Sequence, residues 1–282
     1  MENNLPPHID KIIGKNSSNE KIKREVEEYL NQRFQNSNEK FDGEIEKSEK
    51  DIILIDFAQK AANEILARFN RTKIIDIPLE HVHILKKGGV LEITKGMFIE
   101  GAHSTTQGDF IIDRNESSVD FTIIVFHELI HTKAFNAVQI IPVGNKNEIV
   151  EYRSGFSVTS RDGRVVFFDQ INEAVVGYLT KIFYEEYVRK SELFKSEIKD
   201  IDDGKASVDT SRTAEVEAGL KYIYELYDKN KEKYSKEDII NIFIDAGVNG
   251  NLLQVGRLIE GTFGKGSFRQ LGTKTGYKKR IF

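Results

Sequence analysis

Phe121-Thr-Ile-Ile-Val-Phe126-His127-Glu128-Leu129-Ile130-His131 is the stretch of this 282-residue chain from which the rest is read. Around it, apolar residues stand at 119, 121, 123 to 126, 129, 130, 134 and 135. They cover nearly every side of a helix with 3.6 residues per turn, which predicts a helix buried on most of its faces. Two histidines four apart lie on one such face, with about 6 Å between Cβ atoms. Both imidazoles therefore reach one zinc ion at bond lengths of about 2.0 to 2.1 Å. Glu128, between them, is placed to act as general base on water held by that ion. An imidazole or carboxylate buried without a partner costs a few kcal/mol, and a metal supplies the partner. The plain alternative is a pair of core histidines bonded to backbone, with Glu128 reaching solvent at the helix edge.

Composition narrows the function. The chain is 39% hydrophobic with a net charge of -4 and a pI near 6.0, values of an ordinary globular protein with no basic footprint for nucleic acid. Its basic residues Lys274, Lys278, Lys279 and Arg280 are expected in a solvated tail. No apolar run approaches the roughly 18 residues of a membrane span. The start, Met1-Glu-Asn-Asn-Leu-Pro-Pro-His8, lacks the basic and apolar regions of a secretory signal, so a cytoplasmic address is expected. With 0 cysteines, any zinc site must be built from nitrogen and oxygen, which sets aside the deformylase arrangement of this histidine pair with a cysteine.

Along the chain, residues 1–50 read as a polar arm. It carries one amphipathic helix (Ile22, Val26, Tyr29, Leu30, Phe34) and a linker from Gln35 to Gly43. Residues 51–69 have helical apolar spacing, and strands are expected at 74–77, 81–85, 96–100 and 109–113. Ser117 and Asp120 have the form of a capping box at the entry to the metal helix. A hairpin is expected from strand 151–158 through Asp162-Gly163 to strand 164–169, with Asp169 capping a helix that runs to about Lys190. Further helices are expected near 213–229, 236–246 and 250–262, with a second capping box at Ser235 and Asp238. The fold class is thus α+β, with a mixed sheet and active-site helix in 51–190 and a mainly helical subdomain in 191–282.

A catalytic zinc takes three protein ligands and leaves one position for water, so a third ligand is needed, and no histidine follows His131. A metzincin would need glycine at 134 and histidine at 137, where this chain has Ala134 and Ala137. The best acid is Glu173. On the helix of Ile171, Ala174, Val175, Tyr178, Leu179, Ile182 and Phe183 it lies off the apolar face, in a stripe with Gly177 and Thr180. Gly177 costs that helix about 1 kcal/mol relative to alanine, which suggests close approach of another element or a ligand. Asp169 and Glu148 are the weaker rivals, and a solvated Glu173 is the plain alternative.

His127-Glu128-x-x-His131 followed by Asn172-Glu173-Ala174 at the start of a second helix resembles the gluzincin metallopeptidases over roughly residues 50–190, especially bacterial members whose second helix begins Asn-Glu-Gly or Asn-Glu-Ala. The resemblance implies a zincin-like sheet and a zinc peptidase acting on a peptide or protein substrate. His127, His131 and Glu173 would be the metal ligands and Glu128 the base, with 107–115 the edge strand along which an extended peptide lies. The chain departs from that family at Gly177, where many members carry an acid that orients a metal-bound histidine, and at Lys133, where an apolar residue is usual. The oxyanion donor is left open among Tyr152, Tyr178, Tyr222, Tyr224, Tyr227 and Arg153, with Tyr222 first to test and core packing its plain alternative. His81 and His83 are expected on a half-exposed strand face and not at a second metal, and His8 in a disordered tail. His103 is expected in the loop just before the edge strand, as a plain loop residue, with a place lining the cleft as its alternative. A degenerate zincin that binds a protein partner without cleaving it is the alternative function.

Overall fold

In the computed structural model, which describes residues 4–14, 17–36, 40–95, 101–143, 146–208 and 213–278, the chain begins with β1 (Lys11–Gly14), α1 (Glu20–Gln35) and α2 (Glu49–Arg68). A first set of strands follows, β2 (Val82–Leu85), the short α3 (Gly89–Ile93), β3 (Gly101–Ser104) and β4 (Asp109–Asp113), and leads into α4 (Ser118–Lys133). After α4 come β5 (Asn136–Val143), β6 (Lys146–Ser154), β7 (Ser157–Thr159) and β8 (Val165–Phe167). The rest is helical: α5 (Asp169–Phe183), α6 (Lys195–Asp202), α7 (Thr213–Asn230), α8 (Lys236–Asn249), α9 (Leu252–Phe263) and α10 (Ser267–Lys274), closed by β9 (Tyr277–Lys278). The architecture is mixed α+β with a helical carboxy-terminal region, as expected, and no helix among the described residues is long and apolar enough to cross a membrane.

Helix α4 is the axis of the molecule. Ser117 Oγ accepts the Asp120 N–H at 3.1 Å, and the Glu197 carboxylate from α6 accepts the N–H groups of Ser118 and Val119 and the Ser117 hydroxyl. A carboxylate at this end also meets the positive end of the helix dipole. At the other end Asn136 Nδ2 donates to the carbonyls of His131, Thr132 and Ala134, and Arg71 to those of Lys133 and Ala134. The carbonyls that a helix end leaves without partners are thereby satisfied. Phe126 stacks on Phe183 of α5 with ring centroids 4.1 Å apart; truncating such a core ring to alanine costs ~3–5 kcal/mol. Lys133, the polar departure noted above, is buried because its Nζ donates to Asn63 Oδ1 at 2.5 Å and Ile75 O at 2.6 Å. Burial pushes its ammonium down to about 8.

The strands form two sheets. One runs β2-β4-β3, with β2 parallel and β3 antiparallel to β4; the other runs β1-β5-β6-β7-β8-β9, with only β1 and β5 parallel. Several expectations need correction. Residues 74–77 are extended but unpaired, because the side chains of α2 and α4 take their backbone groups: Gln59 bonds both the N–H and the carbonyl of Ile77, and Lys133 takes the carbonyl of Ile75. The expected strand 96–100 lies outside the described residues. Strand β4, inside the expected edge segment 107–115, is central to its sheet, and the edge is β3. The single strand expected at 151–158 is broken by Gly155 at φ 56°, and β5 was not expected. Phe168, at φ 63°, and not Asp169, precedes α5, and Asp169 lies in its first turn. The box at Ser235 and Asp238 forms with both of its bonds.

The amino-terminal arm is folded onto the rest. β1 pairs with β5, Ile9 is fully buried, and Asp10 accepts Arg71 Nη2 at 2.9 Å and the Asn136 N–H at 2.8 Å. His8 is 1% exposed and bonds the Thr105 carbonyl, so it is not in a tail. The basic end is also partly folded, with Lys274 in α10 and Lys278 in β9; 279 and 280 lie outside the described residues.

Candidate metal centre

His127 and His131 project from one face of α4, 4% and 3% exposed, with their Nε2 atoms 3.1 Å apart. Facing them from the first turns of α5 is Glu173, whose Oε2 lies 3.2 Å from His127 Nε2 and whose Oε1 lies 3.3 Å from His131 Nε2. One donor atom of each residue lies within 4.8 Å of the others, and among the described residues this is the one such group able to hold a metal ion. Glu173 keeps 19% of its side chain exposed, so the trio opens to solvent on the α5 side. Burial pushes the Glu173 carboxyl up, but His131 and His127 beside it hold it well below the usual carboxylate range. The structure brings together the three residues named for the metal; the rival acids differ. Glu148 is exposed on β6, and Asp169 accepts the Ser157 hydroxyl at 3.3 Å.

The close packing of α5 on α7 depends on two glycines. A Cβ on Gly177 would stand 2.7 Å from Val216 Cγ1 on α7, and one on Gly219 of α7 would stand 2.5 Å from Ala174 Cβ. Gly177 therefore serves the close approach of a helix, and orientation of the site falls to other residues. Asn172, next to Glu173, places its amide Nδ2 3.3 Å from His131 Nδ1 while its Oδ1 accepts the Phe156 N–H at 2.7 Å. A metal on Nε2 leaves the ring proton on Nδ1, where an oxygen is needed. An amide presents oxygen or nitrogen there according to which way it is turned.

Above α4 runs the edge strand β3. A Cβ on Gly101 would stand 2.6 Å from Glu128 Oε1, so the strand crosses the proposed base closely because that residue is glycine. Two residues on, His103 stacks on His131 with ring centroids 4.8 Å apart and 5° between planes. It is thus a strand residue at the site and not in a loop. The sequence placed it near the cleft only as the alternative to a plain loop residue, because the strand register was unknown; Asn172 had a visible signal, its place beside Glu173.

The oxyanion candidates are mostly used elsewhere. Arg153 is buried and donates to the carbonyls of Gly155, Gly250 and Ala246, which binds the α8 end to the β6–β7 turn. Tyr222 packs beside Phe263 at 5.9 Å, and burial pushes its hydroxyl up to about 12. Tyr178, Tyr224 and Tyr227 pack against the main core, and Tyr152 is half-buried on β6. Tyr277, which the sequence reading did not single out, is half-exposed on β9, and burial together with the carboxylates of Asp169, Glu151 and Glu173 pushes its hydroxyl up to about 12.

His81 and His83 are buried, 2% and 3% exposed, and not on a half-exposed face. His81 Nδ1 bonds Asp109, and His83 Nδ1 lies 3.0 Å from Glu44 Oε1. Among the described residues the converging metal-capable group is His127, His131 and Glu173. No family model, no curated protein and no solved structure matches the chain, so the meaning of the site is carried by its own residues.

Proposed function

We propose that this chain is a zinc-dependent peptidase of gluzincin type. The reading is supported by one observation above all: two imidazoles from a buried helix and a carboxylate from a second helix converge to within 4.8 Å, with Glu128 on the turn between the imidazoles. The donor set suits the ion, since two neutral nitrogens and one carboxylate leave a four-coordinate zinc one position open. His127, His131 and Glu173 would hold the ion, which would supply a Lewis acid for the scissile carbonyl and the attacking water. Glu128 accepts the proton of the attacking water at its carboxylate and passes it to the leaving amine, a transfer worth about 10²- to 10⁴-fold in rate. Strand β3, at an edge of its sheet among the described residues, offers a side to an extended peptide, with side chains alternating toward and away from α4.

The zinc-loaded protein, incubated with an unfolded protein substrate, is expected to cleave it, and Glu128→Gln is expected to keep its zinc and lose cleavage. Binding of an unfolded chain with no cleavage by the zinc-loaded wild type would overturn the peptidase in favour of a non-catalytic binding module.

A further inference from the structure

We infer that His103 is a positioning residue for Glu128, presenting its Nδ1–H to the carboxylate from the edge strand; the inference rests on the peptidase reading. In a strand, residues two apart share a face, and on β3 those are Gly101 and His103. Gly101 leaves room for Glu128 Oε1, and His103 places Nδ1 3.8 Å from Glu128 Oε2. The opposite ring nitrogen, Nε2, lies 3.0 Å from the hydroxyl of Ser154, a buried residue at the end of β6. A neutral imidazole has one donor and one acceptor nitrogen, and the partner of one decides the role of the other. A carboxylate only accepts, so the nitrogen that faces Glu128 carries the proton. Nε2 then accepts from the Ser154 hydroxyl. The parallel stack on His131 fixes the remaining freedom of the ring.

Ser154 and the stack on His131 hold the ring so that Nδ1 faces Glu128 from 3.8 Å, longer than a formed hydrogen bond and within reach of a small shift of either side chain. With 18% of its side chain exposed, His103 also borders solvent. Among the described residues it is not a member of the group able to hold a metal. It therefore acts through Glu128 and not on the ion.

The test uses the full chain with zinc. Nitrogen-15 NMR of labelled histidines is expected to show His103 protonated at Nδ1 and, in Ser154→Ala, a shift toward the mixture of tautomers seen for free histidine. His103→Phe keeps a stacking ring without the N–H, and is expected to lower kcat about 10- to 100-fold with KM changed by less than about twofold. Zinc content should not change, and His103→Asn, which restores an N–H, should recover part of the loss. An Nε2-protonated His103, a His103→Phe kcat within about threefold of wild type, or a loss explained by missing zinc would each overturn the inference. If the wild type hydrolyses nothing, the peptidase reading itself falls, and the tautomer alone then decides the His103–Glu128 contact, Nδ1–H for it and Nε2–H against it.

Discussion

Two clusters of histidine and carboxylate lie buried in this molecule, and they are built on opposite principles. Around Asp109, each imidazole has its own acceptor: His81 bonds Asp109, His83 faces Glu44 at 3.0 Å with Asp109 3.9 Å from its other nitrogen, and His8 bonds the Thr105 carbonyl at 3.0 Å. Phe34 is sandwiched between His8 and His81, 5.0 and 4.3 Å from them, so α1 and the amino-terminal segment are fastened to the β2–β4 sheet. On α4 the histidines instead turn their Nε2 atoms toward each other and share one carboxylate. Donor atoms distributed pairwise make a structural clamp; donor atoms brought to one point make a place for a cation. Composition does not separate the two clusters, and convergence does.

The largest expected contrast is catalytic. Glu128→Gln should lower peptide cleavage by about 10²- to 10⁴-fold at unchanged zinc content, whereas His81→Gln should leave turnover of the folded protein as it is. Gly101→Ala should come next: its Cβ would meet Glu128 Oε1 at 2.6 Å, and displacing a reacting group by about 1 Å can cost as much as 10²-fold. Steady-state kinetics with a peptide substrate reads both. Gly177→Ala drives a methyl against Val216 and should destabilise the fold by about 1–3 kcal/mol, measured by denaturant unfolding.

An effect of similar size belongs to the clamp and depends on pH. Burial holds His8 down to about 3, against 6.5 for a free side chain. Above pH 6.5 it is neutral in both states; as pH falls below 6.5 the unfolded chain takes up the proton first, and stability is lost progressively toward pH 3. At pH 5 the loss is about 2 kcal/mol, and His8→Gln should flatten that part of the stability profile. His83 has the opposite sign. Burial lowers it, but Asp109 and Glu44 raise it further, so its stabilisation is full at low pH and fades as pH rises through its folded value.

Helix α4, its two histidines, the glutamate on α5 and the helical second half could be read from periodicity and spacing because each depends on neighbours within one or two turns. What escaped depended on contacts distant in sequence. His8 meets Thr105 across 97 positions, and His103 meets Ser154 across 51. Nothing local in a polar arm or a Gly-Ala-His-Ser run announces such partners. The unpaired 74–77 segment was misread for the same reason, since its alternation is strand-like but Gln59 and Lys133 take its backbone groups. Strand β5 was hidden because its partners β1 and β6 lie on either side of it, one of them more than a hundred residues away.

Convergence itself is tested most directly by counting zinc bound to purified wild type, to Glu173→Ala and to the double variant His81→Gln/His83→Gln, each first checked to be folded. The account predicts a single zinc per chain in the wild type and in the double variant, and loss of that zinc from Glu173→Ala. Zinc that stays after Glu173 is removed, or that leaves with His81 and His83, would contradict it.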